Sequence, residues 1–273
     1  MRLGVASLAL CLSAFVVTGV PAAATSASPP TQASVAIVSL NMAGQPRIED
    51  ALASWVRRRE SDVVLLQEVG GHGVDGATFV ASLGQRLGYH STYAPADRFG
   101  DEETQGLAIL SRGPIDDVRI LPLDRHHLRF KSRCRIAQVA TVQTEAGRVR
   151  VVNVHLDTRI NSKDRVAQLA PVIDMLDAID GPQILGGDFN TMDVGWLHTM
   201  WPFPYFQHQV AAVRTRLAES AFHTPFTGGR ATFKFLGLPI HLDWLYLKRL
   251  EAMDWSVDDV PLSDHRGVWA RVK

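Results

Sequence analysis

The sequence predicts an α+β domain in which two β-sheets pack face to face and helices cover their outer faces. Three observations lead there. Strand-like runs recur from residue 35 to residue 273, helical patterns lie between some of them, and neither a repeat nor an internal linker divides the chain.

VAIVSLNM (35–42) is the first strand-like run, and Ile48, Leu52, Trp55 and Val56 then share one helical face. DVVLLQEV (62–69) is the second strand; Phe79, Val80, Leu83 and Leu87 mark a second helix, with Gly88 as its stop. LAILSR (107–112), RIAQVATV (135–142) and RVRVVNVHL (148–156) follow as strands. Val166, Leu169, Ile173 and Leu176 repeat at helical spacing after Ser162, the expected N-cap, and Pro171 is expected to kink this helix. PQILGGDFN (182–190) is a further strand, and Val210, Val213 and Leu217 mark a fourth helix. ATFKFLG (231–237), HLDWLYL (241–247) and GVWARVK (267–273) complete the sheets.

Residues 1–27 read as a signal peptide and leader. Arg2 precedes the apolar LGVASLALCLSAFVVTGV, and PAAATSA offers small residues for cleavage near Ala24. No basic stop-transfer cluster follows, which favours a cleaved signal over a retained anchor. The expected product is secreted, with 28–273 as one large domain. Cys11 lies in the leader, so only Cys134 remains and no internal disulfide can form, although export would permit one. Of the 28 basic residues Arg2 leaves with the leader, so 27 face 28 acidic ones, a net charge of about −1. That balance weighs against a reading built on global attraction to nucleic acid.

The strand ends carry the chemistry. The first strand ends in Asn41, the second in Gln67-Glu68, the run at 148–156 in NVHLD, and the run at 182–190 in GGDFN. Asp243 interrupts an apolar run, and Ser263-Asp264-His265 leads into the last strand. Rigid sheets with polar, ionisable termini are a common way to present catalytic groups to solvent. Glu68, Asp188 and Asp264 supply carboxylates, and Asn41 and Asn190 supply neutral oxygens. Such an oxygen-rich set suits a hard divalent cation, Mg²⁺ first, with Mn²⁺ or Ca²⁺ as alternatives. A carboxylate buried without a partner is costly, so Asp243 calls for one, and His265 is the candidate whose tautomer it would fix. His265 could then deprotonate or orient a water, and His155 could hydrogen-bond a phosphoryl oxygen. Together these residues describe hydrolysis of a phosphate ester.

In this order the pieces are similar to the endonuclease/exonuclease/phosphatase superfamily: SLN (39–41), LLQEV (65–69), GLAILSR (106–112), VNVHLD (152–157), GGDFN (186–190), HLDWLYL (241–247) and SDHRGV (263–268). The resemblance covers residues 35–273 and implies a four-layer αββα sandwich, two packed mixed sheets flanked by helices, with the site at one edge. It implies Glu68 as the main metal carboxylate with Asn41 and Asp264 nearby. Asp188 and Asn190 would position the nucleophilic water and contact phosphate, and Asp243 would orient His265. His155 matches a position that some members fill with Tyr. Either Asp188 or His265 is the base. Two departures set the chain apart from the nuclease branches: Ala43 stands where the abasic-site endonucleases carry Asp, and the second acid that supports the histidine in deoxyribonucleases is replaced by nothing clearer than Glu103 or Gln105.

Blander readings compete at several positions. Asp188 and Asn190 suit a turn. A zinc site on His155 and Asp157 lacks a further nitrogen or sulfur ligand at suggestive spacing. The basic segment 124–135 is either a solvated loop or a rim holding substrate phosphates through Arg133 and Arg135. The aromatic WLHTMWPFPYF (196–206), with two prolines, is expected to resist regular structure. It either packs under a long loop or contacts a substrate or membrane surface. The expected partners are a phosphoester, either nucleic acid or a phospholipid headgroup, with peripheral membrane contact through 196–206, and the chain is expected to be a monomer. A binding module that has lost turnover is the reading from another class; every principal position being filled argues against it.

Overall fold

The computed structural model describes residues 33–273 except 72, 100–102, 127, 129–133, 194, 204–207, 229 and 236. The expected leader, Arg133 and the last part of the aromatic segment therefore lie outside the described residues. Among the described residues, no helix is long and apolar enough to cross a membrane.

The first sheet contains β1 (Val35–Asn41), β2 (Val63–Val69), β3 (His90–Phe99), β4 (Glu103–Ser111), β14 (Ala252–Asp258) and β15 (Gly267–Val272), in the order β14-β15-β1-β2-β4-β3. The second contains β5 (Ile115–Pro122), β6 (Ile136–Thr144), β7 (Gly147–His155), β8 (Gln183–Asp188) and β13 (Asp243–Lys248), in the order β13-β8-β7-β6-β5. Each sheet holds one parallel pair, β1 with β2 and β7 with β8; the other pairings are antiparallel. Two short hairpins stand apart, β9 (Gly195–Leu197) with β10 (Trp201–Phe203), and β11 (Phe233–Phe235) with β12 (Leu238–Ile240).

The alternation of side chains along each strand sorts the core into layers. Val35, Ile37, Val63, Leu65 and Ile109 point from the first sheet into the second, whose Val139, Val151 and Leu245 meet them in one cluster. On the other face of the first sheet, Val38, Leu40, Val64 and Leu66 pack under α1 (Glu49–Arg58) and α2 (Gly76–Leu87). Helices α3 (Ser162–Asp177) and α4 (Gln209–Glu219) cover the second sheet with Leu169, Val172, Leu176, Val213 and Leu217. The result is helices, sheet, sheet, helices. Because β1 and β2 are buried on both faces, they read as continuous apolar runs rather than alternating ones.

Two polar side chains bridge the sheets inside this apolar sandwich. Gln67 donates to Asn153 Oδ1 at 2.7 Å and to Ser39 Oγ at 3.1 Å. Asn153 donates to the carbonyls of Leu66 and Ala108 at 2.8 and 3.0 Å. Losing either partner would strand buried polar groups, Asn153 Oδ1 in one case and the Leu66 and Ala108 carbonyls in the other, at about 1–3 kcal/mol each. The pair therefore fixes how β2 lies over β7, one residue before Glu68 and two before His155.

Several elements differ from the sequence expectation. Strands β5 and β14 are sheet edges none of whose residues is buried, so they carry no apolar signature. Strand β3 is also an edge, with a register shift between Pro95 and Asp97 where proline removes a ladder donor. The N-cap of α3 is Asn161, not Ser162, and its side chain does not cap: its Oδ1 accepts the Trp196 N–H at 3.0 Å. The aromatic segment does form regular structure, the β9–β10 hairpin, in which Pro202 is tolerated because the ribbon has only two strands. Helix α2 ends as expected, with Gly88 left-handed at φ 72°.

Candidate active site

The carboxyl ends of the two parallel pairs meet at one edge of the sandwich. Asn41 pairs with Gln67 across β1 and β2, and His155 pairs with Asp188 across β7 and β8. Asp243 opens β13 directly opposite Asp188. Five of the residues singled out in the sequence thus sit at the ends of adjoining strands.

Glu68 is delivered by a defect. The β2–β4 register slips between Leu66 and Val69, and Glu68 adopts φ 51° within that bulge. A left-handed conformation at a non-glycine residue costs of order 1–3 kcal/mol and persists only when its surroundings enforce it. Here the bulge turns Glu68 out of the sheet alternation and into the cleft. Asn190 is also left-handed, at φ 50°, just past β8.

Asp188 is the hub. Its Oδ2 accepts from Asn41 Nδ2 at 2.9 Å and lies 3.4 Å from His155 Nε2; its Oδ1 accepts the Asn190 N–H at 2.9 Å. Asn41 also donates to Glu68 at 3.3 Å, while its own Oδ1 accepts the Ala43 N–H at 2.9 Å. The sequence offers Asn41 as an oxygen donor; one lone pair of that oxygen goes to the Ala43 backbone, and the amide NH₂ ties Glu68 to Asp188. His155 Nε2 stands 3.8 Å from Glu68 as well. Asn190 donates to the Leu156 carbonyl at 3.0 Å, locking the loops after β7 and β8 together. The turn reading of Asp188 and Asn190 therefore holds alongside their place in the site.

Asp243 Oδ2 and His265 Nδ1 are 2.9 Å apart, and both side chains are buried. Thr232 Oγ1 accepts the backbone N–H groups of Leu242 and Asp243, at 2.9 and 3.2 Å. Ser263 accepts the His265 N–H at 3.0 Å and donates to the Asn41 carbonyl at 2.6 Å, so the imidazole is tied back to β1. Burial disfavours a charged ring, yet the charge and hydrogen bond of Asp243, with Asp188 and Asp264 behind it, lift His265 to about 10. Burial and then Asp243 push the Asp188 carboxyl up to about 7. Asp188, Asp243 and His265 offer ligand atoms within 4.8 Å of one another. A protonated imidazole cannot ligate a cation, however, and this trio is better suited to holding a proton.

The residues do fit a divalent ion nearby. Asp243 Oδ1 is buried and takes no hydrogen bond from any described residue, and Asp188 lacks enough positive charge to stay fully ionised at neutral pH. Glu68, half-buried, and Asp264, exposed, line the same cleft with hard oxygen donors.

The shifts fix a sign for stability in chelator. A ring at 6.5 unfolded and about 10 folded favours the fold fully below pH 6.5, and that advantage disappears as pH rises through 10. An acid raised from 3.8 to about 7 likewise loses folded stability as pH rises between those values. In EDTA the melting temperature is expected to fall from pH 6.5 to 10 by roughly 5 °C or more. A His265→Gln variant, scanned alongside by calorimetry, should show a shallower slope; equal slopes would rule His265 out as the source.

Around this centre the cleft has a cationic and an aromatic side. Arg135 and Arg159 line it, as do Trp196, Phe233 and Phe235. Arg135 is not a free arm: its Nε bonds Asp157 at 3.1 Å, with both side chains buried. That pair, with Gln168 donating to Asp157 at 3.0 Å, also removes Asp157 as a zinc ligand. Trp196 packs edge-on to Phe235, with centroids 6.3 Å apart, and Phe233 lies 4.7 Å from the His265 ring. The aromatic segment is thus cleft wall at Trp196 and open surface at Trp201, which is 63% exposed. Sequence reasoning did not single out Arg159, Phe233 or Phe235; their nearness to the HLD and HLDW motifs was the available signal.

A family model described as the Endonuclease/Exonuclease/phosphatase family matches residues 38–265. No curated protein matches the chain. Among solved structures, the chain is similar to an endonuclease/exonuclease/phosphatase from Beutenbergia cavernae DSM 12333, with a TM-score of 0.71 and 21% identity over 88% of this chain and 72% of that one. It is also similar to the human Nocturnin catalytic domain with bound sulfate anion (TM-score 0.66, 17% identity, 88% and 94% covered). A third is ANGEL2, a 2′,3′-cyclic phosphatase (TM-score 0.63, 16% identity, 89% and 96% covered).

Proposed function

The chain belongs to the endonuclease/exonuclease/phosphatase family, and on that premise we propose that it is an exported, Mg²⁺-dependent phosphodiesterase that cleaves nucleic acid by in-line attack of water. The observation that carries the reading is the convergence on Asp188: Asn41, His155 and Asn190 contact it from three segments, and Asp243 on the adjoining strand holds His265 from the loop before β15. Glu68 and Asp264 would hold the ion, with Asn41 bracing Glu68. Bound there, it would neutralise charge on the phosphoryl oxygens.

The chain's own residues account for the rest. A carboxyl group raised towards neutral pH is matched to taking a proton from water, which favours Asp188 over the more basic His265 as base. His265, kept protonated by Asp243, would donate to a phosphoryl or leaving oxygen, and His155 would do the same from the end of β7. Arg135 and Arg159 would hold flanking phosphates, and Trp196, Phe233 and Phe235 offer faces on which bases stack. The apolar leader and its small-residue cleavage site support export. ANGEL2, a similar structure described as a 2′,3′-cyclic phosphatase, supports phosphoester chemistry as the reading of this fold.

Leu197 and Trp201, 51% and 63% exposed beside the cleft wall, favour a second reading, a lipid-headgroup phosphodiesterase or phosphatase. Plasmid DNA, RNA, sphingomyelin vesicles and phosphoinositide vesicles, each with Mg²⁺ and with EDTA, separate the two. Cleavage of DNA or RNA that EDTA stops is the expected result. Turnover of vesicles alone would transfer the assignment to lipid, and no turnover with any divalent ion would end both readings.

A further inference from the structure

Arg165 is an arginine with no solvent exposure at all, on the inner face of α3. A guanidinium has five N–H groups, and here each has an acceptor. Nε donates to Gln209 Oε1 at 2.8 Å; Nη1 donates to the carbonyls of Asp157 and Phe189, both at 2.7 Å; Nη2 donates to those of Thr158 and Ile160, at 3.2 and 3.3 Å. All five acceptors are neutral oxygens.

Those acceptors define what the residue does. Asp157, Thr158 and Ile160 form the loop that leaves β7 just after His155. The Phe189 carbonyl lies between Asp188 and Asn190. Gln209, equally buried, accepts the Met192 N–H at 3.2 Å and donates to the Ile160 carbonyl at 3.1 Å. It thereby closes the base of the 192–209 segment that carries Trp196 into the cleft. One guanidinium and one amide thus join both site loops and the aromatic wall.

Neutral side chains could satisfy these carbonyls with less desolvation, since burying a charge is costly. Burial pulls Arg165 down to about 9, which still leaves it charged at neutral pH, and the acids that work against that pull most strongly are Asp188 and then Asp157. The cation therefore sits, unneutralised by any direct carboxylate, behind the crowded acids of the site.

We propose that Arg165 is a positioning residue for phosphoester hydrolysis: it fixes the loops bearing His155 and Asp188 against each other and supplies fixed positive charge beneath them. The proposal rests on the hydrolase reading above. Three proteins test it, Arg165→Lys, Arg165→Met and Gln209→Met, each checked for cooperative melting above the assay temperature. With bis(4-nitrophenyl) phosphate and Mn²⁺, Arg165→Lys is expected to lose about tenfold in kcat with KM changed less than about threefold, and Arg165→Met to lose more. Gln209→Met keeps the charge and cuts one of the guanidinium's five bonds, along with the Gln209 bonds to Met192 and Ile160, so its loss in kcat is smaller than that of Arg165→Met.

Amide hydrogen exchange supplies a readout that needs no substrate. Residues 157–161 and 189–192 should exchange about tenfold faster in the variants, while β1 and β15 stay unchanged. A folded Arg165→Lys with kcat within about twofold of wild type overturns the proposal, because a purely structural residue gives that result. If both Arg165 variants fail to fold, Gln209→Met decides, and unaltered exchange and kcat there overturn it. Should the wild type hydrolyse no phosphoester, the functional reading falls by itself. Exchange then judges the loop clamp alone, and unaltered exchange removes that as well.

Discussion

Asp188→Asn is expected to lower kcat on a phosphodiester by at least about two orders of magnitude, some 3 kcal/mol of transition-state stabilisation, while the protein stays folded. The reason is the number of contacts that converge on one carboxylate. As a carboxylate, Asp188 accepts from Asn41 and from the Asn190 backbone and stands beside His155. An asparagine can still accept the Asn190 N–H, but its NH₂ then faces the NH₂ of Asn41, donor against donor. It also has no basic oxygen left to take a proton from water. Stability should move the other way. Asp188 is buried and opposed by Asp243, so at pH 8 its ionised form works against the fold. In EDTA the variant should melt no lower than wild type, the usual signature of a residue kept for activity at a cost in stability. Steady-state kinetics beside thermal melts provide the check. Retained turnover would remove Asp188 from the mechanism, and a large fall in melting temperature would make its role mainly structural.

How much of this was readable beforehand depends on burial. Strands β1, β2, β7 and β8 are covered on both faces, so their apolar runs announce them, and the polar residue that ends each run stands out. The site residues at those ends could be named for that reason. Edge strands β5 and β14 were invisible because a half-solvated strand has a mixed composition. The bulge that aims Glu68 was invisible because composition carries no φ angle. GGDFN shows the same limit. Gly187 has φ 137°, and a Cβ there would lie 2.0 Å from the Val154 carbonyl oxygen, so the second glycine is what lets β8 approach β7 beside Asp188. A turn explanation accounts for such glycines equally well until the neighbouring strand is known.

Arg165 and Gln168 are the more instructive omissions. They occupy the same helical face as Leu169, Val172 and Leu176, so an arginine and a glutamine stand where the pattern asks for apolar residues. Read as interruptions of an amphipathic helix, they lowered its periodicity; read as core residues, they demand buried partners. The structure supplies those partners from the two site loops and from Asp157. A polar residue at a core position of a regular helix is thus a usable signal for an organised loop above it.

The Asp243–His265 pair yields the second large effect, and it separates chemistry from packing. Asp243→Asn and His265→Ala are each expected to cost roughly two orders of magnitude in kcat, and the double variant little more than either, because the two act as one unit. Their stabilities should not follow the same order. Removing the imidazole leaves the buried Asp243 carboxyl without its partner, with Oδ1 already lacking a hydrogen bond among the described residues. Breaking a buried pair from one side in this way costs about 3–5 kcal/mol. Adding Asp243→Asn to His265→Ala replaces the unpartnered acid with a neutral amide, so the double variant should melt higher than His265→Ala by roughly 5 °C or more. Asp243→Asn alone leaves a ring that can shed its proton, and it should be the mildest of the three. A double variant less stable than His265→Ala would mean that Asp243 is held by something other than His265. The orienting role would then have to be withdrawn, whatever the rates.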